Sequence, residues 1–482
     1  MILFFYTVFM ISLFVNSPGG HTVNKKAIHP GLLTLIFLVL ASCGPQKPCN
    51  EPPFYCLDPV DEQIAIDYYG GSHPARADII SNDELLQLFR ARDFTAIESY
   101  FKDFNTRFNN GEIPEGLYND VFNEDNFYEF SLSDNQLFDQ WANENPASSI
   151  AHGIRGLYYY HLGWKIRGSG CAGCLPDARW NLVNDNFDTS LNALEKSIEL
   201  DPYFQAVYYA LIGIARVLSQ PEVEIKYYEL GITNFPASFA IRTHFMNGLQ
   251  PRWGGSYEAM REFALSTYPI WEQNPRMRAI LNYEEADRGT TFRLDNEFEL
   301  ATEAYTNSLY HGIIGGFLEE RASMYLRDGN RFGYTEDFRK LIQLNPSDHP
   351  TAWMYIAIET YERSGGERAW DEFVQALRSD RLKERTETIV SYLHDIDPER
   401  TLVFLRSKLE ENEKNIYYQY GLAWELQLLK DRSAIDEYRK FLDMCSYEIC
   451  NDHQIEIAQT FFACLEGDSS CYFDESRYSW AL

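Results

Sequence analysis

Leu200-Asp201-Pro202 and Asn234-Phe235-Pro236 set two prolines 34 residues apart, and the chain between them decides the fold. Val207, Leu211 and Ile214 recur at the three- and four-residue steps of one helix face. Ile225, Tyr228, Ile232 and Phe235 form a second stripe of the same kind. Proline has no amide hydrogen to give to a helix, so each proline marks where one hairpin stops and the next begins. Two helices in so short a unit cannot bury their apolar faces on each other alone, and neighbouring units must stack to finish the core. The expected fold is all-α, a solenoid of helical hairpins.

Outward from this unit the spacing returns. Ala322, Tyr325, Phe338 and Pro346 repeat a small, aromatic, aromatic, proline order, and Trp353, Ala369, Phe373 and Ala376 follow at matching separations. The pattern resembles the tetratricopeptide repeat, with Tyr208, Leu211, Tyr228 and Pro236 on its large, leucine, aromatic and proline positions. Ile212 and Glu224 stand where that repeat has glycine and alanine. The resemblance covers residues 186–236 and 312–380 and implies stacked hairpins.

Between these blocks lies Pro251-Arg252-Trp253-Gly254-Gly255-Ser256-Tyr257-Glu258-Ala259-Met260. The two glycines permit positive φ for a sharp reversal, and Ser256 is placed to cap the next helix. Arg252, Trp253, Gly254, Gly255 and Ser256 are therefore candidates for either a ligand-contacting loop or a structural plug. In the plug reading Trp253 packs between hairpins, Arg252 pairs with a buried acid, and Gly255 takes positive φ. Taken with Leu88-Phe89-Arg90-Ala91-Arg92-Asp93-Phe94-Thr95-Ala96-Ile97-Glu98 and the segment Gly156 to Trp164, the loop resembles an uncharacterised bacterial domain-of-unknown-function family marked by Arg-Trp-Gly-Gly-Ser. That resemblance spans about 81–290 and implies a tetratricopeptide-like fold with no established activity.

The beginning of the chain reads as an address. Lys25 and Lys26, an apolar run from Leu32 to Leu40, and Ala41-Ser42-Cys43-Gly44 form the charged, apolar and small-residue parts of an export signal. Leu40-Ala41-Ser42-Cys43 resembles the lipobox of bacterial lipoproteins, which implies diacylation of Cys43. Residues 1–22 are superfluous to such a signal, and a true start near Val23 is expected. The expected division is an export signal over 1–42, a lipidated Pro-rich tether over 43–80, the helical domain over 81–290, and further hairpins with a disulfide-rich end over 291–482. Ser81 and Glu84 are spaced as a capping box that opens the first helix of the domain. The expected location is the bacterial cell envelope, at the outer membrane, facing the periplasm or exterior.

With 42 Lys and Arg against 71 Asp and Glu, the net charge of -29 argues against nucleic acid as a partner, since phosphate recognition needs clustered cations. Removing Cys43 from the nine cysteines leaves an even set: Cys49, Cys56, Cys171, Cys174, Cys445, Cys450, Cys464 and Cys471. In an exported chain these are disulfide candidates. Cys49 with Cys56 and Cys171 with Cys174 are local pairs, whereas the last four allow either 445–450 with 464–471 or a nested 445–471 with 450–464. Cys171 and Cys174 lack the second pair that a zinc site needs, so no metal is expected.

Gly168, Gly170 and Gly173 match a dinucleotide fingerprint, but they follow a helical pattern rather than a strand and read as a loop within a hairpin. The pairs Glu284-Glu285 and Glu319-Glu320 occupy helical patterns in which adjacent residues point about 100° apart, so they read as solvated faces. His152 and His161 fall on nearly opposite sides of a helix. No catalytic residue, cofactor or metal ligand is expected. The expected function is a protein or peptide interaction scaffold held at the envelope by lipid, without catalysis. The alternative is glycan or small-ligand capture for nutrient uptake. A polar groove would favour peptide, and exposed aromatic rings in a groove would favour sugar.

Overall fold

The structure, a computed structural model, describes residues 62–127, 130, 134–168, 175–346, 349–379, 385–413, 415–445 and 452–465. Twenty-two α-helices and no strand occur among them, so the all-α hairpin solenoid read from the 34-residue spacing is what the chain forms. The first helices are α1 (Glu62–Tyr69), α2 (Asn82–Ala91), α3 (Phe94–Asn109), α4 (Glu115–Phe122), α5 (Asn135–Glu144), α6 (Ser149–Arg167) and α7 (Asp177–Leu200). Next come α8 (Gln205–Val217), α9 (Pro221–Asn234), α10 (Phe239–Gly248), α11 (Tyr257–Ser266), α12 (Tyr283–Leu294), α13 (Phe298–Asn307), α14 (Gly315–Arg327) and α15 (Arg331–Leu344). The chain continues through α16 (Pro350–Ser364), α17 (Gly366–Ser379), α18 (Thr386–Ile396), α19 (Pro398–Glu411), α20 (Ile416–Leu428), α21 (Ala434–Cys445) and α22 (Asp452–Leu465). None of these helices is long and apolar enough to cross a membrane.

Consecutive helices pack as hairpins: α6 on α7, α8 on α9, α12 on α13, α14 on α15, α16 on α17, and α20 on α21. Helices α6 and α7 approach closely. A Cβ on Gly156 would lie 2.5 Å from the Leu194 side chain, and one on Gly163 would lie 2.4 Å from the Phe187 ring. Only glycine fits there. Ser81 and Glu84 form both bonds of the expected capping box at the start of α2.

The unit that set the period folds with one revision. Val207, Leu211 and Ile214 are all fully buried on α8, as read. On α9 the buried face is instead Glu224, Tyr227 and Gly231, while Ile225 is 37% exposed. Glu224 replaces a small apolar residue because Arg216 of α8 meets it at 2.8 Å, which neutralises the carboxylate inside the hairpin. Gly231 lets the backbone of α9 approach Ile241 and Tyr208. Tyr228, Ile232 and Phe235 of the expected stripe pack half-buried against the same core, so hydrophobicity alone finds the flank of the contact and misses the paired acid and the glycine at its centre.

The part of the expected 43–80 tether that the structure describes is not a tether. From Glu62 onward the chain is helical, and Ala65 and Ala75 are 1% and 2% exposed. Ala65 packs with Leu318, Ala322, Phe338 and Leu341 of α14 and α15. Gly116 of α4 lies so close that a Cβ there would sit 2.5 Å from the Tyr68 carbonyl. Arg76 donates to Asp120 at 2.8 Å and to Asn345 at 3.1 Å, and Lys340 donates to Glu62 at 2.9 Å. Residues 62–78 thus form a wedge between α4 and the α14–α15 hairpin.

The proposed lipidation residue and the export signal lie outside the described residues, as do Cys49, Cys56, Cys171, Cys174, Cys450 and Cys471. Cys464 falls within α22, and Cys445 ends α21, packed partly buried against the core around Phe441 and Tyr438. The glycines of the dinucleotide-like motif after Gly168 also lie outside.

Candidate functional site

The 251–256 loop is built as a short turn of 3-10 helix, Pro251–Trp253, ended by Gly254. Gly254 takes φ +91°, the left-handed region that favours glycine. Gly255 does not, contrary to the expectation, and its need for glycine has another cause. A Cβ there would lie 2.0 Å from the Leu249 carbonyl oxygen, against which the backbone folds back. Ser256 caps α11 by accepting the Ala259 amide hydrogen at 3.1 Å.

Arg252 reaches Asp287 of α12 at 3.0 Å, and that carboxylate is 5% exposed. Burial pushes the Asp287 carboxyl above its usual range, while Arg252 and a hydrogen bond from Tyr257 pull it back. Arg288 lies 4.1 Å from the centre of the Tyr257 ring. Glu284 accepts from Arg288 at 2.9 Å and from Arg261 at 3.0 Å. This acid therefore pins α11 to α12 and is not the solvated group that its helical position suggested. Glu320 likewise meets Arg293 at 3.3 Å. Trp253 is more open than the plug reading expects, at 39% exposed.

The described residues hold no group of three or more His, Cys, Asp or Glu placed to share a metal ion. His161 is buried, whereas His152 stands beside the Pro146 carbonyl at 3.2 Å.

A second feature was not read from sequence. A cleft of about 460 Å³ opens between α2, α5 and the α19–α20 connection. It is lined by Arg90, Arg92, Asp134, Gln136, Leu137, Gln140 and Glu413. Arg90 donates to Asn412 at 2.9 Å and to the buried Asp134 at 3.4 Å, which ties the two sides together. The lining is polar and contains no aromatic ring. Its sequence signal was Arg90-Ala91-Arg92, a pair of cations two apart at a helix end. Glu413 could not be found that way, because it arrives from more than three hundred residues later.

Residues 82–229 match a family described as a domain of unknown function (DUF4034). The match contains α2 to α8 and stops before the 251–256 loop. No curated protein sequence matches the chain. Among solved structures, the human IFIT1 dimer with m7Gppp-AAAA overlaps 81% of this chain and 96% of its own, at 11% identity and a TM-score of 0.32. The P58(IPK) TPR domain overlaps 69% of this chain and 94% of its own, at 13% identity and a TM-score of 0.18. The APC/C hetero-tetramer Cut9–Hcn1 overlaps 77% of this chain and 74% of its own, at 13% identity and a TM-score of 0.28.

Proposed function

We propose that the protein is a non-catalytic peptide- or protein-binding scaffold, held at the cell envelope by a lipid on Cys43. The observation that carries the binding part is the lining of the α2–α5 cleft. Arg90, Arg92, Asp134, Gln136, Gln140 and Glu413 offer hydrogen-bond donors and acceptors to a peptide backbone, with Leu137 as the apolar member. Sugar sites depend on a flat aromatic face against the ring, and the cleft has none. Stacked hairpins also keep such a cleft rigid, because each helix is held by neighbours on both sides. The anchoring part rests on the apolar run that ends in Leu40-Ala41-Ser42-Cys43 and on the general need for two acyl chains to hold a soluble body at a bilayer.

The test is affinity capture from detergent-solubilised envelopes with the tagged mature chain. Enrichment of one protein or peptide, resistant to excess soluble oligosaccharide, is the expected result. Recovery of glycans alone, or of nothing above a tag control, overturns the scaffold reading.

A further inference from the structure

The segment Leu88 to Glu98 has an explanation for nearly every side chain. Phe89, Phe94 and Ile97 are buried, and Leu88 packs against the same core. Asp93 caps α3 by accepting the Ala96 amide hydrogen at 3.1 Å, and Glu98 accepts from Ser148 at 2.6 Å. Arg92 closes α2 in the left-handed conformation, φ +58°, which is unusual for a residue with a side chain. The packing leaves two cations to be accounted for. Arg90 joins Asp134 and Asn412 across the cleft. Arg92 forms no ion pair among the described residues, and it lines the cleft from the α2–α3 turn. Glu413 lines it from the opposite element, the α19–α20 connection, and is likewise exposed without an ion pair among the described residues.

The cleft thus has one uncommitted cation on one wall and one uncommitted anion on another. Asp134 and Arg90 neutralise each other between them, and Gln136 and Gln140 stand one helical turn apart on α5. Side chains four apart share a helix face, so both can meet a single extended ligand, Gln140 through its carbonyl oxygen and its second amide hydrogen, since the first is given to Glu144 at 2.7 Å. We propose that this cleft binds a short zwitterionic peptide, its carboxylate at Arg92, its ammonium at Glu413, and its amide groups at Gln136 and Gln140. The proposal rests on the peptide-binding reading and adds the ligand's class and polarity to it. A zwitterion also suits a chain of net charge -29, whose field would repel a purely anionic ligand but acts weakly on a neutral one.

Calorimetry with four probes tests it: tetra-alanine with free ends, its N-acetyl form, its C-terminal amide, and the doubly blocked form. The free form is expected to bind, and each block to weaken binding about tenfold, the loss of one exposed-to-half-buried charge contact. Arg92→Gln should lower affinity for the free form as much as C-terminal amidation does, and should cost nothing further once the amide is present. Glu413→Gln should behave the same way toward N-acetylation. Equal binding of free and doubly blocked peptide overturns the assignment, as does binding that ignores both substitutions. If none of the four probes binds while envelope capture still enriches a protein partner, this proposal fails and the scaffold reading stands. If tetra-alanine binds as described but capture enriches no protein, the peptide site stands and the protein-partner part of the scaffold reading fails.

Discussion

The guanidinium carbon of Arg276 lies 4.8 Å from the centre of the Tyr68 ring, inside the protein, and the residue forms no ion pair among the described residues. Phe239 at 4.9 Å and Tyr69 at 5.3 Å complete an aromatic surround, and the Ile313 carbonyl accepts from the same guanidinium. A buried cation normally demands an anion, but three ring faces and a carbonyl supply negative potential here. The arrangement holds α1 to the 275–282 turn and to the residues before α14. Arg276→Met keeps the volume and removes the charge. It should cost about 2 kcal/mol, because three cation–ring contacts and one buried hydrogen bond are lost. A denaturant midpoint equal to that of the parent chain would show the cage to be incidental.

The two glycines of the 251–256 loop should separate. Gly255→Ala places a Cβ against the Leu249 carbonyl and should destabilise by about 3 kcal/mol through forced backbone movement. Gly254→Ala meets open space and suffers only its positive φ, a cost of about 1 kcal/mol. Thermal melts of the pair, run side by side, check the order. A reversed order would mean that the turn is held by its dihedral rather than by the close approach.

Two tryptophans make a similar contrast. Trp253→Ala should lower stability by no more than about 1 kcal/mol, since the ring is already 39% exposed. Trp141→Ala should cost about 3–5 kcal/mol, because that ring is fully buried against Phe89 and Phe94. A large loss at Trp253 would restore the structural-plug role that its exposure denies.

His244 gives the pH prediction. Burial, aided by Arg216, pulls its pKa from 6.5 to about 3. The unfolded chain therefore takes up a proton at higher pH than the folded one. The stability this group contributes is present above pH 6.5 and is lost as pH falls toward 3. His244→Phe can keep the stack on Tyr209, whose ring lies 4.8 Å away, while removing the titration. Relative to the parent, the variant should gain about 1–2 kcal/mol between pH 7.5 and pH 5, with the lower figure allowing for partial solvent access. Urea midpoints at the two pH values measure it. A gap that does not change with pH would mean that His244 titrates as in water.

Cys43→Ser tests the anchor directly. The variant is expected in the soluble fraction after membranes are washed with carbonate, while the parent remains in the pellet. A variant that stays in the pellet would point to another mode of attachment.

How far the sequence carried can be traced residue by residue. Leu211, Ala322, Phe338, Ala369 and Phe373 were legible because apolar residues at helical spacing have one sensible destination, and all five are fully buried. Glu224 was not, because its partner Arg216 sits eight residues back on another helix and only the fold brings them to 2.8 Å. Arg252 was readable as a charge seeking an acid, yet nothing local names Asp287 as that acid. Gly255 was rightly singled out for the wrong reason, since φ and close approach leave the same mark on a sequence. The α2–α5 cleft escaped altogether, as its walls come from segments that meet only after the hairpins have stacked.

The wedge formed by residues 62–78 sets an order of events in folding. Its partners Gly315, Lys340 and Asn345 follow it by 246, 278 and 269 residues. This early segment therefore waits for chain synthesised much later before it can be buried. Loop closure over such separations is slow, and until it happens Tyr68, Tyr69 and Ala65 stay exposed to water. A nascent chain cut short before α15 would carry an unburied apolar helix at its front, which a chaperone or protease can recognise.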